Sequence, residues 1–268
     1  MATSEIDQER LNPLGDGTAA AEPEEPEGGS MTLVEHLEEL RRRLFYCALA
    51  VAVGSIVAFI FWDQILGFLL TPLPKAAVAL SSGHGSTKLV VHGIGEQFSV
   101  ALKLAFAVGV AVASPVTLYQ VWGFVAPGLT RKERKYAGPF TALGVALFLT
   151  GIAVGFVVLR YPVEFLLSFG ANRFTALIDA DNYFSFVAFF LLAFGIVFEL
   201  PLVLTFLGLI NVVSSAKLRQ KRLYYWFGLW VASCFITPGA DPYSPVIIGV
   251  ALTLLFELSI VLLRIIKK

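Results

Sequence analysis

Six apolar blocks, at about residues 44–61, 98–121, 137–159, 184–210, 223–236 and 244–263, occupy most of the chain after residue 43. A helix rises about 1.5 Å per residue, so about 20 apolar residues cross a hydrocarbon core of about 30 Å. The first four blocks reach or approach that length, and the sixth is close to it. The fifth, Leu223 to Ile236, spans only about 21 Å before Thr237-Pro238-Gly239 breaks it. Blocks five and six, joined by that turn, read as a short hairpin that deforms the bilayer locally. The expectation is an all-α membrane protein with six transmembrane helices, the last two short.

Composition excludes the other broad classes. At 57% hydrophobic, 15% charged and a mean hydropathy of +0.76, the 268 residues are too apolar for a soluble domain. Twenty basic and 20 acidic residues cancel, so no charge excess points to nucleic acid. Cys47 and Cys234 both lie inside apolar runs and offer no disulfide framework. His36, His84 and His92 form no Cys/His cluster at ligand spacing, so neither a structural metal nor a cofactor is expected.

Charge segregation gives the organisation. Eight of the 20 acidic residues fall in the first 27, and the stretch from Ala21 to Ser30 has no apolar periodicity. Residues 1–30 therefore read as a disordered acidic tail, without the apolar core of a secretory signal. Met1 and Met31 are the only methionines and both remain candidate starts. Near the ends of the apolar blocks, 14 Lys and Arg residues lie on one side: 41–43, 131–135, 217–222 and 264–268. The other side holds four: Lys75, Lys88, Arg160 and Arg173. The positive-inside rule makes the first side cytoplasmic and puts both termini there, in agreement with six spans. The outer loops, about 62–97 and 160–183, carry amphipathic pieces such as Val163–Phe169, expected as short interfacial helices. No internal repeat is evident.

Three constellations carry candidate chemistry. Leu33, Leu37, Leu40 and Leu44 lie at helical spacing, so Glu35 to Arg43 belongs to an amphipathic helix entering the first span. A solvated, positive-inside anchor explains most of its charges equally well, and His36 reads as structural. Ser114 to Thr130 follows, with Pro115 inside an apolar helix, interfacial Tyr119 and Trp122, and then the basic run Arg131–Lys135. Glu133 is the one acid in that run; a surface ion pair with Arg131 or Arg134 is its plainer reading. Glu199, near the middle of a 27-residue apolar run, is costly in a membrane unless protonated, paired or hydrated, which makes it a functional candidate. Glu257 and Lys103 lie nearer helix ends, where long side chains snorkel.

These segments resemble one family in combination. "HLEELRRRL" before the first span, "SPVTLYQVWGFVAPGLT" leading to "KER", "FGIVFELP" in the fourth and "ITPGADPYS" between the last two are similar to TatC, the core membrane component of the twin-arginine protein translocase. The resemblance runs over about residues 31–264, leaving the acidic tail and the basic end 265–268 outside. It implies six helices in a cupped, glove-like arrangement in the cytoplasmic (inner) membrane. It further implies a non-enzymatic receptor for twin-arginine signal peptides of folded cargo, assembled with TatA- and TatB-type single-span proteins in an oligomeric complex and driven by the protonmotive force.

Matched position by position, Glu39, Arg41, Phe124 and Glu133 correspond to the signal-peptide-binding residues. Glu199 corresponds to the intramembrane Glu of the groove, and Thr237 to a partner-contact position. Pro72, Asp179 and Asp241 correspond to characteristic outer-face positions. Pro245 stands where many members have Gln, and it offers no such polar contact. The physics agrees with this assignment: two guanidiniums need carboxylate acceptors, because charge-assisted bidentate bonds are strong and directional. The competing reading is a proton-coupled secondary transporter using Glu199. An intramembrane enzyme lacks a visible nucleophile–base pair.

Overall fold

The computed structural model describes residues 33–73, 89–125, 137–169, 178–237 and 241–266. The chain separates into Met1–Glu38 and Glu39–Lys268. Of the first unit, the described part is helical from Leu33 onward. The acidic tail and the candidate Glu133 lie outside the described residues.

Ten helices make up the described chain: α1 (Leu33–Ile60), α2 (Trp62–Leu69), α3 (Glu96–Val125), α4 (Ala137–Val158), α5 (Arg160–Ser168), α6 (Ala180–Phe198), α7 (Leu200–Leu209), α8 (Ser215–Gln220), α9 (Arg222–Ile236) and α10 (Tyr243–Ile266). Among the described residues, five spans are long and apolar enough to cross a membrane: Val34–Ile60, Glu96–Val125, Gly138–Ser168, Ala180–Leu209 and Tyr243–Ile265. Helix α9 is apolar but only 15 residues long, as the early Thr237-Pro238 break predicts.

The last helix differs from expectation. It is not short: α10 runs 24 residues. Pro245 falls in its first turn, where a missing backbone donor costs nothing, and Arg264 suits the carbonyl-rich last turn. Pro115 lies inside its helix, as expected: α3 runs through it to Val125. The expected amphipathic piece of the second outer loop is α5, its buried side formed by Pro162 and Val163.

Helix α4 packs most extensively on α6, α3 packs on both, and α10 contacts α6, α7 and α9. In lipid, tails are as apolar as leucine, so helix association relies on close packing and interhelical polar contacts more than on hydrophobic burial. Small residues supply the approach. A methyl at Gly151 of α4 would lie 2.6 Å from the Phe194 carbonyl oxygen and 3.0 Å from Gly195 Cα of α6. One at Gly54 of α1 would lie 2.8 Å from the Gly109 carbonyl oxygen of α3. Around these crossings Leu104, Val187, Phe190, Phe194, Ile248 and Leu252 form the main core.

Polar contacts close the ends of the helices. Lys103 of α3 reaches both carboxylate oxygens of Asp181 on α6, at 2.6 and 2.7 Å, and Ser185 Oγ at 3.3 Å. Glu257 of α10 accepts from Arg222 Nε at 2.7 Å and Trp226 Nε1 at 3.1 Å, which accounts for a carboxylate in that apolar helix.

Candidate functional site

Glu39 and Arg43 stand one helical turn apart on α1 and therefore share a face. Arg43 donates through Nε (2.9 Å) and Nη2 to the same oxygen of Glu39, Oε1. Its Nη1 donates to Gln120 Oε1 on α3 at 3.2 Å. Gly123, one turn beyond Gln120, provides the space: a methyl there would collide with the Arg43 guanidinium. The second oxygen of Glu39, Oε2, is buried with no partner among the described residues. Phe124, half buried, follows Gly123, so two of the predicted residues, Glu39 and Phe124, flank one polar cluster at the junction of α1 and α3. Arg41 is exposed and shares no face with Glu39.

Glu199 sits where α6 passes into α7. Its N–H donates to Ile196 O at 3.0 Å and its carbonyl accepts from Val203 N at 3.0 Å. Pro201 enters the first turn of α7, where no donor is needed. The side chain reaches toward α3 and α4: a methyl at Gly144 would lie 3.3 Å from Glu199 Oε2 and 3.4 Å from Leu118 Cδ1. Glu199 Oε1 is buried without a partner among the described residues, as are Ser114 Oγ on α3 and Thr205 Oγ1 on α7. Below them Trp122, Phe140 and Phe206 make an aromatic cluster with ring centroids 4.9–6.4 Å apart.

At the opposite end, Asp179 caps α6. Its Oδ1 accepts from Asn182 N at 2.7 Å, and its Oδ2 lies 2.9 Å from His92 Nδ1. The Asn182 N–H foremost, and then the His92 ring and the nearby Glu96 carboxyl, hold the Asp179 carboxyl below the usual aspartate range. A two-bond bridge pins the segment before α3 to this cap: Val90 N to Ile178 O at 2.9 Å and Ala180 N to Val90 O at 3.0 Å. Pro72 is half buried in the turn after α2, whose end is tied to α6 by Tyr183 Oη donating to Leu69 O at 2.8 Å.

Thr237 closes α9, its hydroxyl donating to Ser233 O at 2.7 Å. Asp241 is only 3% exposed and caps α10, accepting from Ser244 N at 2.7 Å and Ser244 Oγ at 2.8 Å. These local partners supply a structural reason for both residues. Arg43, Gln120 and Gly123 escaped the sequence reading. The Glu39–Arg43 spacing was the available signal for the first, whereas Gln120 and Gly123 are reached only through the fold.

The architecture is that of a polytopic helical membrane protein whose polar side chains gather at helix ends and at one intramembrane acid. The family model of the Sec-independent protein translocase protein (TatC) matches residues 35–250. The chain belongs to the TatC family. It is 36% identical to the TatC protein of Carboxydothermus hydrogenoformans over 238 residues, 88% of this chain and 94% of that one. It is 35% identical to that of Deinococcus radiodurans, over 91% of this chain and 90% of that one. Identity to the Frankia casuarinae protein is 36% over 88% of this chain, which spans 66% of that longer relative. A crystal structure of the twin-arginine translocase receptor TatC is similar with a TM-score of 0.71 and 32% identity, covering 87% of this chain and all of that one. A second, in DDM, gives 0.70 at 32% identity, over 85% and 99%.

Proposed function

We propose that this protein is the receptor and assembly platform of a twin-arginine translocase, binding the paired arginines of a signal peptide at the α1–α3 end. The observation that carries this reading is the half-used carboxylate of Glu39. One oxygen is held by the chain's own guanidinium, and the other is buried with no hydrogen-bond partner among the described residues. Charge-assisted bonds to guanidinium are about twice as strong as neutral ones, so that oxygen is the natural acceptor for an incoming arginine. Glu133 is the second acceptor, with Phe124 and Arg41 beside the peptide. The surrounding cations discriminate against other basic segments.

In this reading α9 is the sixth span and residues 31–264 form one membrane domain. The acidic 1–30 and basic 265–268 segments lie in the cytoplasm, on the face richer in Lys and Arg of the inner membrane. TatA- and TatB-type partners meet Glu199 and Thr237, while Pro72, Asp179 and Asp241 shape the outer face. The protonmotive force drives export without a chemical reaction at this chain.

A fluorescent twin-arginine signal peptide titrated onto the detergent-solubilised protein tests the reading, with a twin-lysine peptide as control. Saturable binding that prefers arginine and falls at least tenfold in Glu39→Lys and in Glu133→Lys is expected. Equal binding by both variants and the parent would remove it.

A further inference from the structure

We propose that His92, Glu96 and Asp179 form a binding site for a divalent transition-metal ion with zinc-like ligand preferences. One ligand atom from each lies within 4.8 Å of the others, although His92 and Asp179 are 87 residues apart in sequence. Zinc bonds to nitrogen and carboxylate oxygen are about 2.0–2.2 Å, which places tetrahedral ligands about 3.4 Å from one another. The His92 Nδ1–Asp179 Oδ2 pair, at 2.9 Å, is already near that separation. The Glu96 ligand atom lies within 4.8 Å of both.

The surroundings are those of an oriented ligand set. Glu96 Oε2 accepts from the backbone N–H groups of His92, at 2.6 Å, and Gly93, at 3.1 Å. Asp179 Oδ1 is held by Asn182 N, and its Oδ2 faces the His92 ring nitrogen. The Val90–Asp179 bridge fixes the two segments against each other. Such outer bonds hold ligands in place before an ion arrives.

Charge supplies the second argument. The Glu96 and Asp179 carboxyls lie close to each other, and Glu96 Oε1 is buried with no partner among the described residues. Two carboxylates at that range repel unless a proton or a cation lies between them. A divalent ion balances both charges, takes the neutral imidazole as its third ligand and keeps a position for water. The His92 side chain is 68% exposed, which gives the ion an entry path. One imidazole with two carboxylates favours zinc-type ions over calcium, which prefers six to eight oxygens. The expectation of no metal rested on local spacing alone, and this set assembles only in the fold.

The test uses the full chain in detergent, carrying a purification tag without histidine and stripped with EDTA. Zinc is titrated in competition with a chromophoric chelator. About one equivalent per chain is expected at low micromolar concentration or tighter. Affinity should fall at least tenfold in His92→Ala and in Glu96→Gln, with no change in His36→Ala. Cobalt in place of zinc should give visible absorption bands that His92→Ala abolishes. Because the His92 ring is exposed, His92→Ala without metal should keep the parent thermal midpoint within a few degrees. Asp179 is left intact because it also caps α6. Absence of binding at about 100 µM zinc, or binding that survives His92→Ala in a folded protein, overturns the proposal. Neither outcome bears on signal-peptide binding at the other end.

Discussion

Arg43 directs two N–H groups at Glu39 Oε1 and leaves Glu39 Oε2 buried and without a partner among the described residues. An arginine of the chain itself thus occupies half of the acceptor that the proposed ligand needs. The two residues are expected to respond to substitution with opposite signs.

Glu39→Gln should weaken binding of a twin-arginine peptide about tenfold or more, because a charge-assisted acceptor becomes neutral. Arg43→Gln should tighten it several-fold by releasing Oε1, since an i,i+4 ion pair is worth only about 0.5 kcal/mol. Fluorescence titration reads both. Weaker binding in both variants would mean that Arg43 orients the acceptor instead of competing for it.

Helix contact in the membrane rests on missing side chains. Gly151→Ala drives a methyl to 2.6 Å from a backbone carbonyl that cannot step aside, so it should destabilise by about 1–3 kcal/mol. Gly138→Ala, on the same helix, meets nothing within 4 Å and should be neutral or slightly stabilising. Thermal midpoints in detergent distinguish them, and equal midpoints would contradict the close α4–α6 crossing.

The Lys103–Asp181 pair, partly exposed, joins α3 to α6. Removing one partner strands a charge, whereas removing both does not. Lys103→Met and Asp181→Leu should each lower the thermal midpoint more than the double substitution does. A double variant worse than either single one would show that the two residues act separately.

What the sequence made legible follows from the range of each interaction. Apolar block lengths located the helices, and the Pro238 break made α9 short. Block six was read as short because the Thr237-Pro238-Gly239 turn joined it to the short block five in one hairpin, although its own apolar length, extended by the last-turn cation Arg264, supports a full helix. Three consecutive arginines conceal which one faces inward, and the phase set by Glu39 selects Arg43, not Arg41. The Asp241–Ser244 cap has a local spacing and could have been found. The Lys103–Asp181 and His92–Asp179 pairs could not, because they bridge 78 and 87 residues.

Asp241 tests whether a buried helix-capping carboxylate is purely structural. Asp241→Ala removes both bonds to Ser244 at a buried cap and should destabilise by about 1–2 kcal/mol, whereas Asp241→Asn, also a good cap, should recover most of that. Loss of export in Asp241→Asn at unchanged stability would assign the carboxylate a role beyond the cap.

Glu199 separates stability from function most sharply. Its Oε1 is buried with no partner among the described residues, and its Oε2 lies against Gly144 and Leu118. An unsatisfied buried polar atom costs about 1–3 kcal/mol, so the carboxyl does not stabilise the fold as it stands. Glu199→Leu, of similar length, should leave the thermal midpoint unchanged or raise it, and Glu199→Gln should keep it near the parent value. If Glu199 meets a polar group on a partner's membrane helix, Leu should abolish co-purification of that partner and export of a twin-arginine precursor. Gln, which still donates and accepts, should retain part of both. If Glu199 instead carries a proton, Gln should lose export as completely as Leu while the partner still co-purifies. A Leu variant that exports normally with a lowered midpoint would reduce this carboxyl to packing.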